Sequence, residues 1–249
     1  MRLRIVFSKT GSLRYTGHLD LQTVWERTAR RAGLSLAYTQ GFHPGPKIQI
    51  ASALPLGIAG SAEIVDMWLD TDPGDAAETQ KRLQAGSPPG LTILHVEAVD
   101  EHGPALQTQV VSAEYTVTLP EAASGSDLQL RVDNLLAARS LPRQRRGKDY
   151  DLRPLIEELS LTLPPSGEGP GVRAFMPGMK LFMRLAARDA ATGRPEEVLD
   201  VLGIPFETTR IERTRLILKT GIESVNHENI VTTSLQKPQD CAVVGPKSD

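Results

Sequence analysis

Cysteine is almost absent from this chain of 249 residues, in which Cys241 is the single one. A disulfide needs two cysteines and an iron–sulfur cluster needs several closely spaced thiolates, so this chain supplies neither. Long apolar runs are also missing, since no stretch approaches the roughly 20 apolar residues that a membrane span needs. Residues 1–9 alternate charged with apolar side chains, unlike a signal peptide. These absences predict a cytoplasmic protein with no membrane span and no cofactor of its own.

Motifs for nucleophilic or phosphate-transfer chemistry are absent as well. The glycine-rich segment 167–171 lacks the Lys-Ser/Thr pair of a phosphate-binding loop and precedes no predicted helix, which is typical of a linker. There is no Gly-x-Ser-x-Gly turn and no cysteine–histidine pair. His18, Asp20 and His43 lack the spacing that would fix a metal ion, so we predict no metal site.

Charge, in contrast, is plentiful and unevenly distributed, although the net charge is only −2. Residues 1–60 carry eight lysines and arginines against two acidic residues, whereas residues 61–140 carry four against thirteen. Residues 141–220 carry fourteen against eleven. This asymmetry suits a polyanionic or acidic partner at one end of the molecule, although charges also decorate solvated faces that have no partner.

Hydrophobic periodicity predicts an α+β protein with two tandem ferredoxin-like, split β-α-β domains and a disordered C-terminal tail. The first domain spans residues 1–106 and opens with a strand at 2–8 and a helix between Gly17 and Gly33. Its other predicted elements are strands at 34–39, 47–51, 62–69 and 91–99 and a helix at 75–84.

The second predicted domain, residues 107–220, repeats this order. Its strands are predicted at 114–119, 157–163, 180–187 and 210–218, and its helices at 128–138 and 194–202. A hairpin at 141–155, with its turn at Gly147 and Lys148, is predicted between them. Residues 221–249 show little periodicity and are predicted to form the disordered tail.

A basic and partly aromatic surface in the first domain is the main candidate for binding. It combines cations of the first strand and first helix with cations and rings in and beside the glycine- and proline-rich loop 40–46: Arg2, Arg4, Arg27, Arg30, Arg31, Tyr38, Phe42, His43 and Lys47. Cations neutralise phosphates and aromatic rings stack on unpaired bases, so the pattern predicts binding of RNA or another polyanion. In the alternative interpretation, the arginines pair with nearby carboxylates and the rings pack inside the protein.

A second basic cluster lies on the predicted hairpin of the second domain and consists of Arg143, Arg145, Arg146, Lys148 and Arg153. Such a density of cations favours a polyanion site. Charged edge strands also prevent sheets from pairing edge to edge, so a purely protective role is the alternative.

Acid–base chemistry is the enzyme hypothesis. His18 lies two residues before Asp20 at the start of the first helix and could act as a general base oriented by that carboxylate. The chain would then be a metal-free endoribonuclease. In the simpler interpretation, His18 and Asp20 hold the turn before the helix in place.

Several separated blocks of the sequence resemble the radical SAM-linked protein family, a bacterial domain of unknown function found alone or fused behind a radical SAM enzyme domain. The blocks, in order, are Gly17-His18-Leu19-Asp20, Glu26-Arg27, Arg30-Arg31-Ala32-Gly33, Gln40-Gly41-Phe42-His43-Pro44, Ala53-Leu54-Pro55-Leu56-Gly57, Asp151-Leu152-Arg153-Pro154-Leu155-Ile156 and Arg210-Ile211-Glu212-Arg213-Thr214.

The resemblance implies that a radical SAM enzyme is the partner. That enzyme would carry the iron–sulfur cluster and S-adenosylmethionine, for which this chain lacks the cysteines. We therefore expect a non-catalytic accessory or substrate-recognition protein that binds RNA or ribosomal components. A pure protein–protein adaptor is the other non-catalytic alternative.

Overall fold

The computed structural model describes residues 1–120, 127–162, 179–189 and 191–219. These residues form a mixed α+β structure that is mostly sheet with few helices. The predicted tail at 221–249 and the glycine-rich segment 167–171 lie outside the described residues. Within the described ranges, no helix combines the length and the apolar character needed to cross a membrane.

Nine of the eleven strands in the described residues belong to one sheet. The strands are β1 (Arg2–Lys9), β2 (Ile48–Ile50), β3 (Ala59–Trp68), β4 (Leu91–Val99), β5 (Val110–Thr118), β6 (Pro142–Arg145), β7 (Lys148–Asp151), β8 (Ile156–Thr162), β9 (Lys180–Arg188), β10 (Ala191–Thr192) and β11 (Arg210–Leu218). The main path of the sheet is β10-β9-β5-β11-β3-β1-β4, with β2 paired to β3 and β8 paired to β9. Strands β6 and β7 form a separate hairpin.

The described residues also form five α-helices. They are α1 (His18–Arg31), α2 (Ala76–Gly86), α3 (Leu106–Gln109), α4 (Asp127–Ala137) and α5 (Pro195–Val201). Helix α1 follows Gly17, and Gly33 just after it has a φ of 69°, the left-handed conformation that often ends a helix. The Asp75 carboxylate caps α2 by accepting a hydrogen bond of 2.9 Å from the backbone N–H of Glu78.

Each half of the chain orders its strands in the same way. In the first half, β1 lies between β3 and β4, and β2 pairs with the other edge of β3. In the second half, β5 lies between β9 and β11, and β8 pairs with the other edge of β9. The halves are joined because β11 also pairs in parallel with β3 at Glu212 and Arg213. Two tandem ferredoxin-like domains with a boundary at 106 therefore stay a prediction, since one sheet runs through both halves.

The described residues form two hydrophobic cores. Phe7 and Trp25 belong to the first, where helices α1 and α2 pack on the sheet, and their rings meet edge to face at 4.8 Å. Helix α1 contributes its buried side chains Leu21, Trp25 and Thr28 to this packing. The second core is formed mainly by β5, β8, β9 and β11 together with α4 and α5, and the first half adds Ala51, Leu54, Ile58 and Ile64 to it.

Segment 34–39 differs from its predicted strand. It makes only two single bridge pairs, Leu36 with Leu69 and Tyr38 with Pro46. The two partners, Leu69 and Pro46, belong to different segments of the chain, so the two bridges do not form one ladder. Pro46 also has no backbone N–H with which to extend a ladder. The segment thus connects α1 to the loop 40–46 without becoming a regular strand.

Candidate functional site

The loop 40–46 is fixed at its base and exposed at its tip. The backbone N–H of Thr39 donates to the carbonyl of Gly45 at 2.8 Å, and the N–H of Gly45 donates to Thr39 Oγ1 at 3.0 Å. The N–H of Lys47 donates to the carbonyl of Ala37 at 2.8 Å. Beyond this base, the Phe42 side chain is fully exposed, at 102%, and His43 is exposed beside it. Tyr38 and Lys47 are also exposed.

The cations of α1 have different surroundings. Arg27 is exposed and has no carboxylate partner among the described residues. Arg30 pairs with Glu26 one turn earlier, at 2.8 Å. Arg31 is exposed, and its Nη1 lies 3.5 Å from the carbonyl oxygen of Gly86. Arg27 and Arg31 thus keep their charge available to a partner, whereas Arg30 already has one.

The expectation that Arg2 and Arg4 face the solvent is wrong. Both are buried, with 1% and 3% of their surface exposed, and both bind the fully buried Asp66 carboxylate across the β1–β3 ladder. Arg2 also donates to the carbonyls of Gly103 and Pro104 at 3.0 Å each. The segment around α3 therefore covers this sheet face, and the two arginines hold the structure together.

The second basic cluster is divided between anchored and exposed cations. Arg143 pairs with Asp200 at 2.8 Å, and Arg153 donates to the backbone carbonyls of Leu136 and Ile156. Arg145 is half-buried, whereas Arg146 and Lys148 are exposed around the hairpin turn. Asp151 holds the backbone beside Arg153, because its carboxylate accepts hydrogen bonds from the backbone N–H groups of Leu141 and Arg153. These hydrogen bonds hold the pKa of Asp151 below its usual range.

His18 and Asp20 lie in the first turn of α1 and are exposed. The Asp20 carboxylate lies against Gly17, where a Cβ atom would be 3.4 Å from Asp20 Oδ2. Among the described residues, no three histidine, cysteine or acidic side chains are grouped so that they could hold a metal ion.

A cavity of about 730 Å³ lies where the two halves meet, and we call it, with its side pocket, the junction groove. The first half contributes the turn 11–15 and the loop 54–58, and the second contributes residues 206–211: the lining is Arg14, Tyr15, Leu56, Gly57, Ile58, Phe206, Glu207, Thr209, Arg210 and Ile211. A side pocket of about 270 Å³ shares Arg14 and Arg210 and adds Lys180 and Glu212.

Sequence reasoning did not find the junction groove. Its residues come from segments separated by up to about 200 positions, and no local spacing brings them together. The sequence blocks that resemble the radical SAM-linked family could have pointed to this cavity. Leu56 and Gly57 belong to one block and Arg210 and Ile211 to another, and all four line the cavity.

A buried polar network lies beside the junction groove and connects the halves. Arg213 of β11 binds the Glu63 carboxylate of β3 through Nε, at 2.7 Å, and through Nη2. Its remaining donors reach Ser52 Oγ and the carbonyls of Ser52 and Ala53. All five guanidinium donors therefore have acceptors, although Arg213 is only 1% exposed.

Burial shapes the ionisation of this network. Burial lowers the pKa of Lys9, although the nearby Glu63 carboxylate opposes the shift. Burial likewise raises the pKa of Tyr115, which Arg213 opposes. Burial disfavours the charged form of Arg213, but the Glu63 carboxylate more than compensates and raises the pKa of the guanidinium. The Glu63 carboxylate thus stabilises the positive charge of Arg213.

Comparison with known families gives a match over most of the chain, whereas no curated protein matches it. Residues 2–195 match a family described as "uncharacterized protein conserved in bacteria (DUF2344)". The expectation of a bacterial domain of unknown function is confirmed, and the link to radical SAM enzymes stays a prediction. The chain belongs to the DUF2344 family of uncharacterized bacterial proteins.

Proposed function

We propose that this protein is a non-catalytic substrate-recognition partner of a radical SAM enzyme and that it binds single-stranded RNA. The observation that carries the RNA part is the full exposure, 102%, of Phe42 at the tip of a loop with a hydrogen-bonded base. A ring held in water by a fixed loop needs little reordering before an unpaired base stacks on it.

Exposed cations of the first half support the same function. Lys47 follows the loop directly, and Arg27 and Arg31 extend from α1, the helix that precedes it. Exposed cations attract phosphates and release condensed counterions, which provides affinity without sequence preference. His43 and Tyr38 offer further planar side chains for stacking.

The radical SAM partner is inferred from the resemblance of the seven sequence blocks and not from any contact. Since this chain has one cysteine, Cys241, the iron–sulfur cluster of such a reaction would belong to the partner. The role left for this chain is to hold the substrate.

Substitution of the exposed ring tests the stacking. We expect Phe42→Ala to weaken binding of a labelled single-stranded oligoribonucleotide by about 1–3 kcal/mol, measured by fluorescence anisotropy. Leu130→Ala is the matched control, because Leu130 is also exposed, at 57%, but lies on α4. Equal affinities of the two variants would reject the assignment of Phe42.

Salt dependence tests the cations. The double variant Arg27→Ala/Arg31→Ala should flatten the dependence of log K on log salt by about 0.7 for each phosphate that the protein no longer neutralises. Lys81→Ala removes an exposed cation from α2 and should leave the slope unchanged. An unaltered slope in the double variant would remove α1 from the interface.

The same preparations separate the alternatives. RNA should remain intact when it is incubated with this protein alone. Cleavage that disappears in His18→Ala would replace the proposal by an endoribonuclease. A stable complex with a radical SAM enzyme, combined with no RNA affinity at moderate salt, would replace it by a protein–protein adaptor.

A further inference from the structure

Two cations at the edge of the junction groove face the same side of the sheet. Arg210 of β11 pairs with Thr118 of β5, and Thr118 pairs with Lys180 of β9. Residues paired across a ladder project from the same face, so Arg210 and Lys180 flank the neutral Thr118 in one row. Both cations are exposed, and neither has a carboxylate partner among the described residues.

Other arginines on this sheet face have carboxylate partners. Arg184 of β9 binds Glu114 at 2.7 Å and Glu158 at 3.0 Å. Arg188 binds Glu157 at 3.4 Å. The sheet thus pairs its arginines with carboxylates farther along the strands, whereas Arg210 and Lys180 have no such pair. The Glu212 carboxylate also lines the side pocket, where it accepts a hydrogen bond from Ser61 Oγ, so three cations face one acidic group there.

The opposite wall of the junction groove adds a third cation. Arg14 Nη2 donates to the Tyr15 hydroxyl at 2.7 Å, and its guanidinium carbon lies 4.8 Å from the centre of the Tyr15 ring. Arg14 Nε is buried and has no hydrogen-bond partner within the described residues. No carboxylate among the described residues pairs with Arg14, which lines both the main cavity and the side pocket, so its charge is available to an anion in the groove.

The junction groove also offers apolar and acidic groups suited to the rest of a nucleotide. The rings of Tyr15 and Phe206 line it, and the Glu207 carboxylate is exposed at its edge. Aromatic rings stack on bases, and a carboxylate accepts hydrogen bonds from ribose hydroxyls. A volume of about 730 Å³ is in the range of pockets for small ligands.

We propose that the junction groove binds a nucleoside phosphate, either as a free nucleotide or as one unit of an RNA strand. The phosphate contacts Arg14, Arg210 and Lys180, and the base lies against Tyr15 and Phe206. The proposal is independent of the exposed loop, because it depends on side chains from other segments. Loss of RNA affinity in Phe42→Ala would therefore leave it untouched.

Isothermal titration of the full chain with AMP, ATP, inorganic phosphate and a single-stranded oligoribonucleotide tests the site. We expect Arg210→Gln to weaken binding of the preferred probe about tenfold, the usual effect of losing one charge-assisted hydrogen bond. Arg188→Gln is the matched control, since it removes a paired cation from the same sheet face and should change affinity less than about twofold.

The pattern of probes identifies the source of the phosphate. Binding of AMP or ATP that is weakened by Arg210→Gln assigns a free nucleotide. Binding of the oligoribonucleotide alone, weakened by Arg210→Gln, assigns a unit of RNA. Tyr15→Leu should reduce the preference for AMP over inorganic phosphate while the circular dichroism spectrum is unchanged. No binding of any probe at about 1 mM, or identical affinities in Arg210→Gln and Arg188→Gln, would overturn the proposal.

Discussion

The buried ion pair between Arg213 of β11 and Glu63 of β3 connects the two halves of the protein. Both side chains are only 2% exposed, so neither charge reaches water. A buried ion pair is tolerable when every donor has an acceptor, and the five hydrogen bonds of Arg213 meet that condition. Removing one charge would leave the other uncompensated.

Neutralising Glu63 should therefore cost much more than neutralising a surface glutamate. We expect Glu63→Gln to lower the free energy of unfolding by about 3–5 kcal/mol, measured by urea denaturation. Glu158→Gln removes a partner of Arg184 whose side chain is 48% exposed, and it should cost less than about 1 kcal/mol. Similar losses in the two variants would contradict this account.

Gly60 holds the Glu63 side chain in place through its lack of a Cβ. Phe7 of β1 pairs with Glu63 of β3, and Lys9 pairs with Gly60. The chain advances two residues on β1 but three on β3, so β3 has a bulge here that places Gly60 and Glu63 on the same face of the sheet. A Cβ on Gly60 would lie 2.6 Å from Glu63 Cγ and Oε1. The carboxylate could then no longer occupy its position against Arg213.

Alanine at this glycine should be destabilising although the backbone there is ordinary. We expect Gly60→Ala to lower the free energy of unfolding by about 1–3 kcal/mol in urea. Gly45→Ala is the control, because no heavy atom lies within 4 Å of its Cβ position and the change should stay within about 0.5 kcal/mol. A neutral Gly60→Ala would show that Glu63 adjusts freely.

At the scale of the element, local sequence signals predicted most boundaries. The strand at 91–99 and the strand at 210–218 match β4 and β11, because alternation and turn residues delimit them. The turn of the hairpin was predicted one residue too late. Arg146 and Gly147 form it with φ values of 48° and 74°, the two positive angles of a type I′ turn.

Arg146 is an unfavourable residue for this turn, since a side chain other than asparagine or glycine is strained at positive φ. We expect Arg146→Asn to stabilise the hairpin by about 0.5–1 kcal/mol, seen as slower hydrogen exchange of the β6–β7 amides. Arg139→Asn makes the same change outside the turn, where no positive φ is needed, and should have no such effect. Faster exchange in Arg146→Asn would speak against the strain.

At the scale of the whole molecule, one sheet spans both halves, so we expect them to unfold together. Buried Trp25 reports on the first half, and far-ultraviolet circular dichroism reports on all strands. In urea the two signals should give coincident transitions. Two separated transitions would show that the pairing of β11 with β3 is too weak to couple the halves.

The site was less predictable than the fold. The exposure of Phe42 could be anticipated from a loop rich in glycine and proline. The burial of Arg2 and Arg4 could not, because alternation in β1 indicates which residues share a face but not that α3 covers it. The junction groove depends on the distant pairing of β11 with β3, which no local pattern records.

The central position of β11 has a consequence for biosynthesis. Ribosomes make proteins from the N-terminus, and completed segments can fold before the rest emerges. Here the strand that joins the two halves is the last regular element of the described chain. Until it emerges, the Glu63 carboxylate lacks its Arg213 partner, and the edges of β3 and β5 that β11 will cover are open to pairing with other chains.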